Sequence, residues 1–498
     1  EGAYKSVYKV WNHIQHRMEA ISVMDVKSIL EMGNEEVIRQ EVQVSTLLSE
    51  LVTDNKCPNF IETYQVFQFA FAPPEELWKM DPFSECSYEQ QYLATLAKKK
   101  QKSRKSKSMK TYEPKTKKSC HTYIRMELCD GGDLETYLRN EEVDNNGGSL
   151  TQDDEIAAFM FQMIISLAIG QDEMNLRHYD VKLLNFFLKS VSIEDEGNNT
   201  TDLSSVQIAS YMYHDQLYQI TAPRERPYIV KLADYGTADI SPETLGLPIS
   251  MAQFTTLENV SPDFYIFGAN AKQDYNADAF SLGLSFLHLL TGSMPYEEIL
   301  EDVTCPKEFV EAWRQAWGER MDASNDGQYI SLKRILRYDE NINTVPNTLY
   351  RFFVMLGLPN LVSNGAESNT GDNILSYDYK ENPILATVKK MFKLTYKRSS
   401  GGSKKAKKKI KMLQGKGKLF ENYSKQCKEF NIFNGTNEYM QRAQERMETI
   451  AGAEDLLKQL LHYAPSKRIS MRNAIEHEMF SLFKSAAASS ETTTTTMN

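Results

Sequence analysis

Residues 178–185 (HYDVKLLN) carry three side chains that together could transfer a phosphoryl group. Asp180 could orient a hydroxyl nucleophile, Lys182 could neutralise a phosphate, and the amide oxygen of Asn185 could bind Mg²⁺. The segment follows a long apolar run at 156–169 and precedes a strand-like run, so the pattern places the three side chains on one loop. Taken alone, this segment leaves open a polar loop without chemistry.

A second polar motif, KLADYG at 231–236, follows another strand-like run. Asp234 at the end of a strand, with Gly236 close behind it, suits a second metal-binding carboxylate. In this order, HYDVKLLN and ADYG resemble the catalytic-loop and metal-binding signatures of the eukaryotic protein kinase superfamily.

The resemblance extends over about 450 residues. The run 126–129 (MELC) looks like the hinge, and 256–263 resembles the end of an activation segment. Asp278, with a glycine five residues later, matches the buried aspartate of the next long helix. Arg468 resembles the arginine that pairs with the acid at the end of the activation segment, here Asp263.

The resemblance implies an ATP-dependent protein kinase that transfers the γ-phosphoryl group of Mg-ATP to serine or threonine hydroxyls. Asp180 and Lys182 would be the catalytic residues, and Asn185 and Asp234 would hold Mg²⁺. Lys182 in DVKLLN favours serine/threonine over tyrosine specificity. A kinase-like phosphotransferase for small molecules fits poorly, because such enzymes generally lack the 256–263 segment and the Arg468 turn.

The resemblance also assigns the nucleotide contacts. Lys27 matches the strand lysine that holds the α- and β-phosphates, with Glu41 as its ion-pair partner and Glu36 as the fallback. Further contacts fall in the glycine-rich loop, the hinge and the segment after the hinge: Gly2, Val7, Glu127, Cys129 and Asp133.

Two departures from the family pattern lie in the nucleotide-binding region. Gly2 takes the second glycine position of the glycine-rich loop and Lys5 the third, with the first absent. A side chain at Lys5 hinders the approach of backbone amides to phosphates, or alternatively supplies charge to them. Asp25 stands two residues before Lys27, where a small apolar residue above the adenine is usual.

These departures favour a different class of function, a pseudokinase scaffold that keeps the fold and acts by binding. The retained polar set of Lys27, Asp180, Asn185 and Asp234 favours catalysis instead, and we take catalysis as the main hypothesis.

Tyr179 occupies the position before the catalytic aspartate, where related kinases often carry an arginine. That arginine commonly pairs with a phosphate on the activation segment. We therefore expect activity that does not depend on such a phosphate, unless the neighbouring Arg177 substitutes.

The elements that position these motifs predict an α+β, bilobal fold. Residues 1–129 form the N-terminal lobe and hinge, a small antiparallel sheet with one main helix and a basic insertion at about 69–118. Residues 130–484 form a mainly helical C-terminal lobe, with insertions at about 191–226 and 362–430. The low-complexity tail at 485–498 is expected to be disordered.

Two lysine-rich segments interrupt an otherwise acidic chain of net charge −10. Residues 98–118 and 393–418 each hold eleven basic residues, against one acid and none. Such segments are often solvated loops, but they also suit nuclear import or binding to an acidic protein or another polyanion.

Six scattered cysteines without a regular spacing favour a reducing compartment. We therefore expect a cytoplasmic or nuclear protein, with secretion left open because the sequence begins at Glu1. No apolar run approaches the roughly 20 residues that a membrane-spanning helix needs, so we expect no transmembrane segment.

Overall fold

The computed structural model describes residues 5–31, 35–69, 121–141, 152–192, 205–247, 259–267, 271–299, 302–323, 344–358, 382–398 and 411–485. Gly2, most of the basic insertion at 69–118 and residues 486–498 of the predicted tail lie outside these ranges. The predicted α+β architecture is confirmed, because a small antiparallel sheet is followed by a mainly helical part.

The N-terminal lobe is a four-stranded antiparallel sheet covered by one long helix, α2 (Glu35–Thr53), which follows the short α1 (Val26–Glu31). Alternation along the second strand directs Ala20, Ser22 and Met24 towards α2, and all three are buried. The strands lie in the order β1-β2-β4-β3: β1 (Ser6–Asn12), β2 (Arg17–Asp25), β3 (Thr63–Phe69) and β4 (His121–Glu127).

The C-terminal lobe is built around α4 (Asp153–Met174) and α6 (Asn276–Thr291), whose residues are apolar on nearly all sides and buried. Between these two helices, β5 (Phe186–Ser190) pairs with β8 (Tyr228–Leu232), as the strand-like runs predict. The other described helices of this lobe are α3 (Leu134–Glu141), α5 (Pro262–Phe267), α7 (Pro295–Ile299), α8 (Lys307–Ala323), α9 (Thr344–Leu356), α10 (Pro383–Met391), α11 (Lys418–Phe430), α12 (Glu438–Thr449), α13 (Ala453–Leu460) and α14 (Met471–Ile475).

The insertion at 191–226 contains a hairpin, β6 (Ser205–Tyr213) and β7 (Gln216–Pro223), that packs into the core. Tyr211 and Tyr218 are fully buried, and the ring centroid of Tyr218 lies 5.2 Å from that of Phe161 on α4. The amide of Ser485 donates to the carbonyl of Leu217 at 2.9 Å, so residues 484–485 add to this hairpin. The described residues 205–226 are therefore a structural part of the lobe and not a polar surface loop.

The insertion at 362–430 also contributes to the core, through α10, α11 and the strand pair β9 (Thr395–Arg398) and β10 (Lys411–Gln414). Phe392 stacks on Tyr423 with ring centroids 5.2 Å apart, and the Tyr423 hydroxyl donates to the carbonyl of Phe353 at 2.8 Å. Within the part of the chain that the structure describes, no helix combines the length and the hydrophobicity needed to cross a bilayer.

Candidate active site

A buried aspartate on α6 fixes the backbone of the loop that carries HYDVKLLN. The carboxylate of Asp278 accepts hydrogen bonds from the amides of His178 at 2.7 Å and Tyr179 at 2.8 Å. Burial raises the pKa of Asp278, although the two amides favour its charged form. Tyr179 has φ = 62°, a left-handed conformation that costs energy for a bulky residue and turns the chain towards Asp180.

Three residues that were predicted to take part in phosphoryl transfer lie together on this loop. The side-chain amide of Asn185 donates to the carbonyl of Asp180 at 2.8 Å and to its Oδ2 at 3.1 Å. The Nζ of Lys182 lies 2.8 Å from the same Oδ2. The structure therefore brings Asp180, Lys182 and Asn185 within one hydrogen-bonded group.

The ADYG motif is joined directly to this loop. The amide of Ala233 donates to the carbonyl of Asn185 at 2.9 Å, and the His178 ring lies 3.0 Å from the Ala233 carbonyl. Tyr235 is buried, its ring centroid is 5.8 Å from that of His178, and its hydroxyl donates to the carbonyl of Leu232. These contacts place Asp234 beside the loop that holds Asn185.

Asp234 is paired with Lys5, which directly precedes β1. The Nζ of Lys5 lies 2.8 Å from the Oδ1 of Asp234 and 2.5 Å from the Oε1 of Glu41 on α2. The lysine therefore connects the helix of one lobe to the metal-binding motif of the other. Gly236 lies against the same helix: a Cβ there would be 3.2 Å from Val37, which is closer than side chains normally approach.

The two ion pairs affect the charges at this corner. Burial alone would lower the pKa of Lys5, but Glu41 and Asp234 outweigh it and raise that pKa. Burial opposes ionisation of Asp234, yet the Lys5 ammonium lowers the pKa of this carboxyl group. Lys5 is therefore a cation and Asp234 an anion at neutral pH.

The oxygen atoms at this site suit Mg²⁺. Asp234 offers a carboxylate, its side chain is 42% exposed, and Asn185 offers an amide oxygen on the adjoining loop. Mg²⁺ prefers such hard oxygen ligands and keeps several waters, so an open site with two protein ligands fits it. Asp234 and Asn185 are the residues that would hold the ion, with Lys5 nearby for a phosphate.

Comparison with protein families decides the identity of the fold. The model of the protein kinase domain family matches residues 1–341 of the 498. The chain belongs to the protein kinase family. No curated protein shows significant similarity to it.

The predicted pairing of the kinase lysine at Lys27 with Glu41 is wrong. Lys27 lies on α1, its side chain is 53% exposed, and its Nζ is 3.7 Å from Glu31 one turn later. Glu36, the fallback partner, pairs with Arg39 on the surface. The residue that contacts Glu41 is Lys5.

Ser22 explains why the cation comes from another strand of the kinase sheet. It lies on the inner face of β2 opposite Val7 and Ile124, facing the helix that carries Glu41, but its side chain is short. Its buried hydroxyl has no hydrogen-bond partner among the residues described. Lys5 lies two residues before Val7, just ahead of the neighbouring strand, and its long side chain reaches Glu41 from there.

Asp25 does not occupy the position above the adenine, contrary to the sequence prediction. Its Oδ1 accepts from the amide of Lys27 at 3.0 Å, and its Oδ2 accepts from the hydroxyl of Ser28 at 2.8 Å. Asp25 therefore caps the N-terminus of α1, a common use of aspartate. This cap was the sequence signal that a helix begins at Val26 and that Lys27 lies outside the strand.

The remaining predicted nucleotide contacts surround the cleft to different extents. Val7 is 56% exposed on the inner face of the sheet, and burial raises the pKa of the hinge residue Cys129 to about 12. The carboxylate of Glu127 is paired with Lys231 at 2.5 Å, so this side chain is not available to a nucleotide. Both carboxylate oxygens of Asp133 cap α3 through Thr136, so its ribose contact stays a prediction.

The start of the activation segment is held by Arg177, the residue considered as a substitute for the missing arginine. Its fully buried Nη2 lies 3.0 Å from the Asp239 carboxylate and donates to the Thr244 hydroxyl and the Ser241 carbonyl, both at 2.8 Å. Backbone hydrogen bonds also join Arg177 and Asp239 in both directions. A carboxylate of the chain itself therefore pairs with this arginine.

The end of the segment contacts Arg468 as the resemblance implies. The guanidinium binds both oxygens of Asp263 and donates to the Ser261 hydroxyl at 3.0 Å. The shorter side chain of aspartate thus still reaches the arginine. Arg468 lies beyond the matched residues 1–341, so kinase-like packing continues past that match.

Proposed function

We propose that this protein is an active protein kinase that transfers the γ-phosphoryl group of Mg-ATP to serine or threonine hydroxyls. The observation that carries the proposal is the position of Lys5, which contacts both Glu41 and Asp234. A lysine paired with the main helix of the N-terminal lobe is required in active kinases. Here the pair is present although it is made by a different residue from the one expected.

The residues of the chain divide the work of the reaction. Asp180 orients the hydroxyl of the substrate and accepts its proton, while the amide group of Asn185 keeps the Asp180 carboxylate in place. Lys182, beside the same carboxylate, places a positive charge where the phosphoryl group passes. Bound Mg-ATP supplies the phosphoryl group itself and the charge that screens it.

The position of Lys5 between two carboxylates gives its ammonium a second role. Its ammonium is shared between Glu41 and Asp234, so it balances the charge of a metal-binding carboxylate while the lobes are in contact. Glu41 is buried on α2 and fixes the direction from which Lys5 approaches. We propose that Lys5, so directed, takes the place of Lys27 in holding the α- and β-phosphates.

The pseudokinase alternative is favoured by the same contact. The Nζ of Lys5 lies 2.8 Å from the Oδ1 of Asp234, an oxygen that a metal ion would need. In this alternative Lys5 acts as a permanent counter-charge for Asp234, and the fold serves for binding only. The absence of a lysine at Ser22 supports this alternative as well.

The deciding experiment measures transfer and binding separately. Purified protein is incubated with γ-labelled Mg-ATP and mixed serine, threonine or tyrosine peptides, with Asp180→Asn as the control. Thermal shift with ATP, with and without Mg²⁺, reports binding. Label on serine or threonine peptides that disappears in Asp180→Asn supports the proposal. Stabilisation by ATP without any transfer supports the pseudokinase, and tyrosine labelling alone contradicts the specificity.

We further propose that the lysine-rich segments 98–118 and 393–418 bind an acidic protein or another polyanion. The described part of the second segment supports this, because Lys393 and Lys416 are exposed and lie near each other through the bond from the Lys416 amide to the Phe392 carbonyl. Retention on heparin should fall steeply with salt and be lost when the basic residues of both segments are replaced by glutamine, which leaves the strand pair β9–β10 in the chain. Equal retention of both proteins contradicts this proposal.

A further inference from the structure

The hinge of this kinase is held by a buried ion pair outside the catalytic residues. The Nζ of Lys231 lies 2.5 Å from the Oε1 of Glu127 and donates to the carbonyl of Phe60 at 3.2 Å. The two side chains are 6% and 9% exposed, so both charges are removed from water. A buried pair of this kind persists only when its hydrogen bonds are satisfied.

Glu127 is fixed by its backbone as well as by its side chain. Its amide donates to the carbonyl of Glu62 at 2.9 Å, and its Oε1 accepts from the amide of Glu62 at 2.8 Å. Glu127 therefore cannot rotate without breaking contacts to Glu62 and Lys231 together. The adjoining hinge backbone must follow the position of this residue.

Lys231 lies on β8, three residues before Asp234, so it connects the hinge to the strand that leads to the metal-binding motif. The neighbouring strand β5 makes a similar contact with the hinge: the Nζ of Lys189 donates to the carbonyl of Leu128 at 2.9 Å. Lys231 on β8 thus binds Glu127 of the hinge, and Lys189 on β5 binds the next hinge residue, Leu128. The distance from the hinge to Asp234 is set through these contacts.

We propose that Lys231 is a positioning residue for the nucleotide: through Glu127 it fixes the hinge backbone relative to Asp234, and so sets the spacing between the base-binding and the phosphate-binding ends of the cleft. This inference rests on the proposed function, since it assumes that the cleft binds ATP. It assigns no contact between Lys231 and the nucleotide, because the ammonium faces Glu127 and Phe60.

The physical chemistry of buried ion pairs shapes the test. Removing one partner leaves a buried charge without compensation and costs about 3–5 kcal/mol, whereas replacing both by neutral groups is often tolerated. The informative variant is therefore Lys231→Met combined with Glu127→Gln, whose glutamine oxygen can still accept from the Glu62 amide. Lys231→Arg keeps the charge and tests whether a cation alone suffices.

The affinity for Mg-ATP is measured by calorimetry for the full chain and for each variant, together with KM for ATP, KM for peptide and kcat. We expect the double variant to bind Mg-ATP about tenfold more weakly, equivalent to about 1.4 kcal/mol. Its melting temperature, kcat and KM for peptide should remain near those of the unmodified protein. Lys231→Arg should recover most of the affinity.

The matched control removes an ion pair that lies outside the cleft, with Lys56→Met combined with Glu173→Gln, whose exposed groups are 2.6 Å apart. It should leave ATP affinity unchanged. Unchanged ATP affinity in the Lys231/Glu127 double variant overturns the inference, and so does a fall of melting temperature and kcat accompanied by a rise of both KM values. If the unmodified protein transfers no phosphate but binds Mg-ATP, the proposed function fails while the calorimetric comparison still decides this inference.

Discussion

The catalytic loop and the lysine corner hold charged side chains in the same cleft by different means. Asp180 lies on a loop whose backbone is fixed by the buried carboxylate of Asp278. Lys5 directly precedes β1, an edge strand of its sheet, and is held there by the ion pairs of its ammonium. One region fixes the backbone, and the other fixes only the end of a long side chain.

This difference indicates which functional side chains can be supplied from another position in the sequence while the geometry of the site is kept. A side chain positioned by its own backbone can be supplied only from that position in the sequence. A lysine reaches its partner through four flexible carbons, so a neighbouring strand on the same face can supply the ammonium. Asp180 accordingly keeps its usual place in the motif, whereas the cation that pairs with Glu41 is Lys5 and not a lysine of β2.

The largest expected effect concerns the fixed region. Asp180→Asn should reduce phosphoryl transfer about 10²- to 10⁴-fold, as expected for loss of a general base, without unfolding the chain. Asp234→Asn should cost at least as much and should also weaken the dependence of ATP binding on Mg²⁺. The measurement is kcat with a peptide substrate, with the melting temperature as the control for folding. Transfer by Asp180→Asn at the unmodified rate would contradict the assignment.

A smaller effect is expected where the chain pairs Arg177 with its own carboxylate. Hydrogen bonds to charged groups contribute about 1.5–3 kcal/mol, so Asp239→Asn should lower kcat/KM roughly tenfold to hundredfold. Ser241→Ala and Thr244→Ala should stay within a few-fold, because Asp239 remains to pair with the arginine. Asp302→Asn, an exposed aspartate after α7, is the matched control and should change nothing.

Phosphatase treatment sharpens the same prediction. Since Asp239 already supplies the negative charge beside Arg177, dephosphorylated protein should keep most of its activity. A hundredfold loss on dephosphorylation, or in Thr244→Ala, would show that a phosphate on the segment orders it instead. Thr237→Ala should not share the tolerance of Ser241→Ala and Thr244→Ala, because the buried hydroxyl of Thr237 donates to the carbonyl of His178 at 2.9 Å.

The smallest effect concerns the stability of α6, the helix that anchors the fixed region. Burial lowers the pKa of His288 to about 4, with Arg139 adding to the shift. As the pH falls, the unfolded chain therefore takes up a proton on His288 before the folded protein does. The free energy of unfolding consequently decreases between about pH 6.5 and pH 4. The melting temperature of His288→Phe should fall less over this range than that of the unmodified protein. Identical pH curves for the two proteins would contradict the prediction.

Much of the C-terminal site could be predicted from the sequence, because its residues come from short continuous motifs. Asp180, Lys182 and Asn185 lie within six residues, and Asp234 follows a strand that pairs with the one after Asn185. Local spacing therefore determines their positions once the strand pair forms. The contact between Asp263 and Arg468 was also predicted, since both positions belong to recognisable segments.

The N-terminal lysine could not be placed in this way, because its position depends on the register between two strands. Ala20, Ser22 and Met24 share the inner face of β2, while Asp25 ends that strand and caps the helix that begins at Val26. Assigning the strand through Lys27 shifted the register by five residues. The pairing of Lys5 with Glu41 requires the three-dimensional position of α2, which no local spacing provides.

The central claim is that Lys5, and not Lys27, serves the phosphates of the nucleotide. The most direct test compares kcat for phosphoryl transfer in Lys5→Met and Lys27→Met, both checked for an unchanged melting temperature. We predict at least about a hundredfold loss in Lys5→Met and activity within a few-fold of the unmodified protein in Lys27→Met. Ser22→Lys combined with Lys5→Gly should restore part of the activity, since the new ammonium faces the same glutamate. A loss confined to Lys27→Met, with Lys5→Met fully active, would contradict the account.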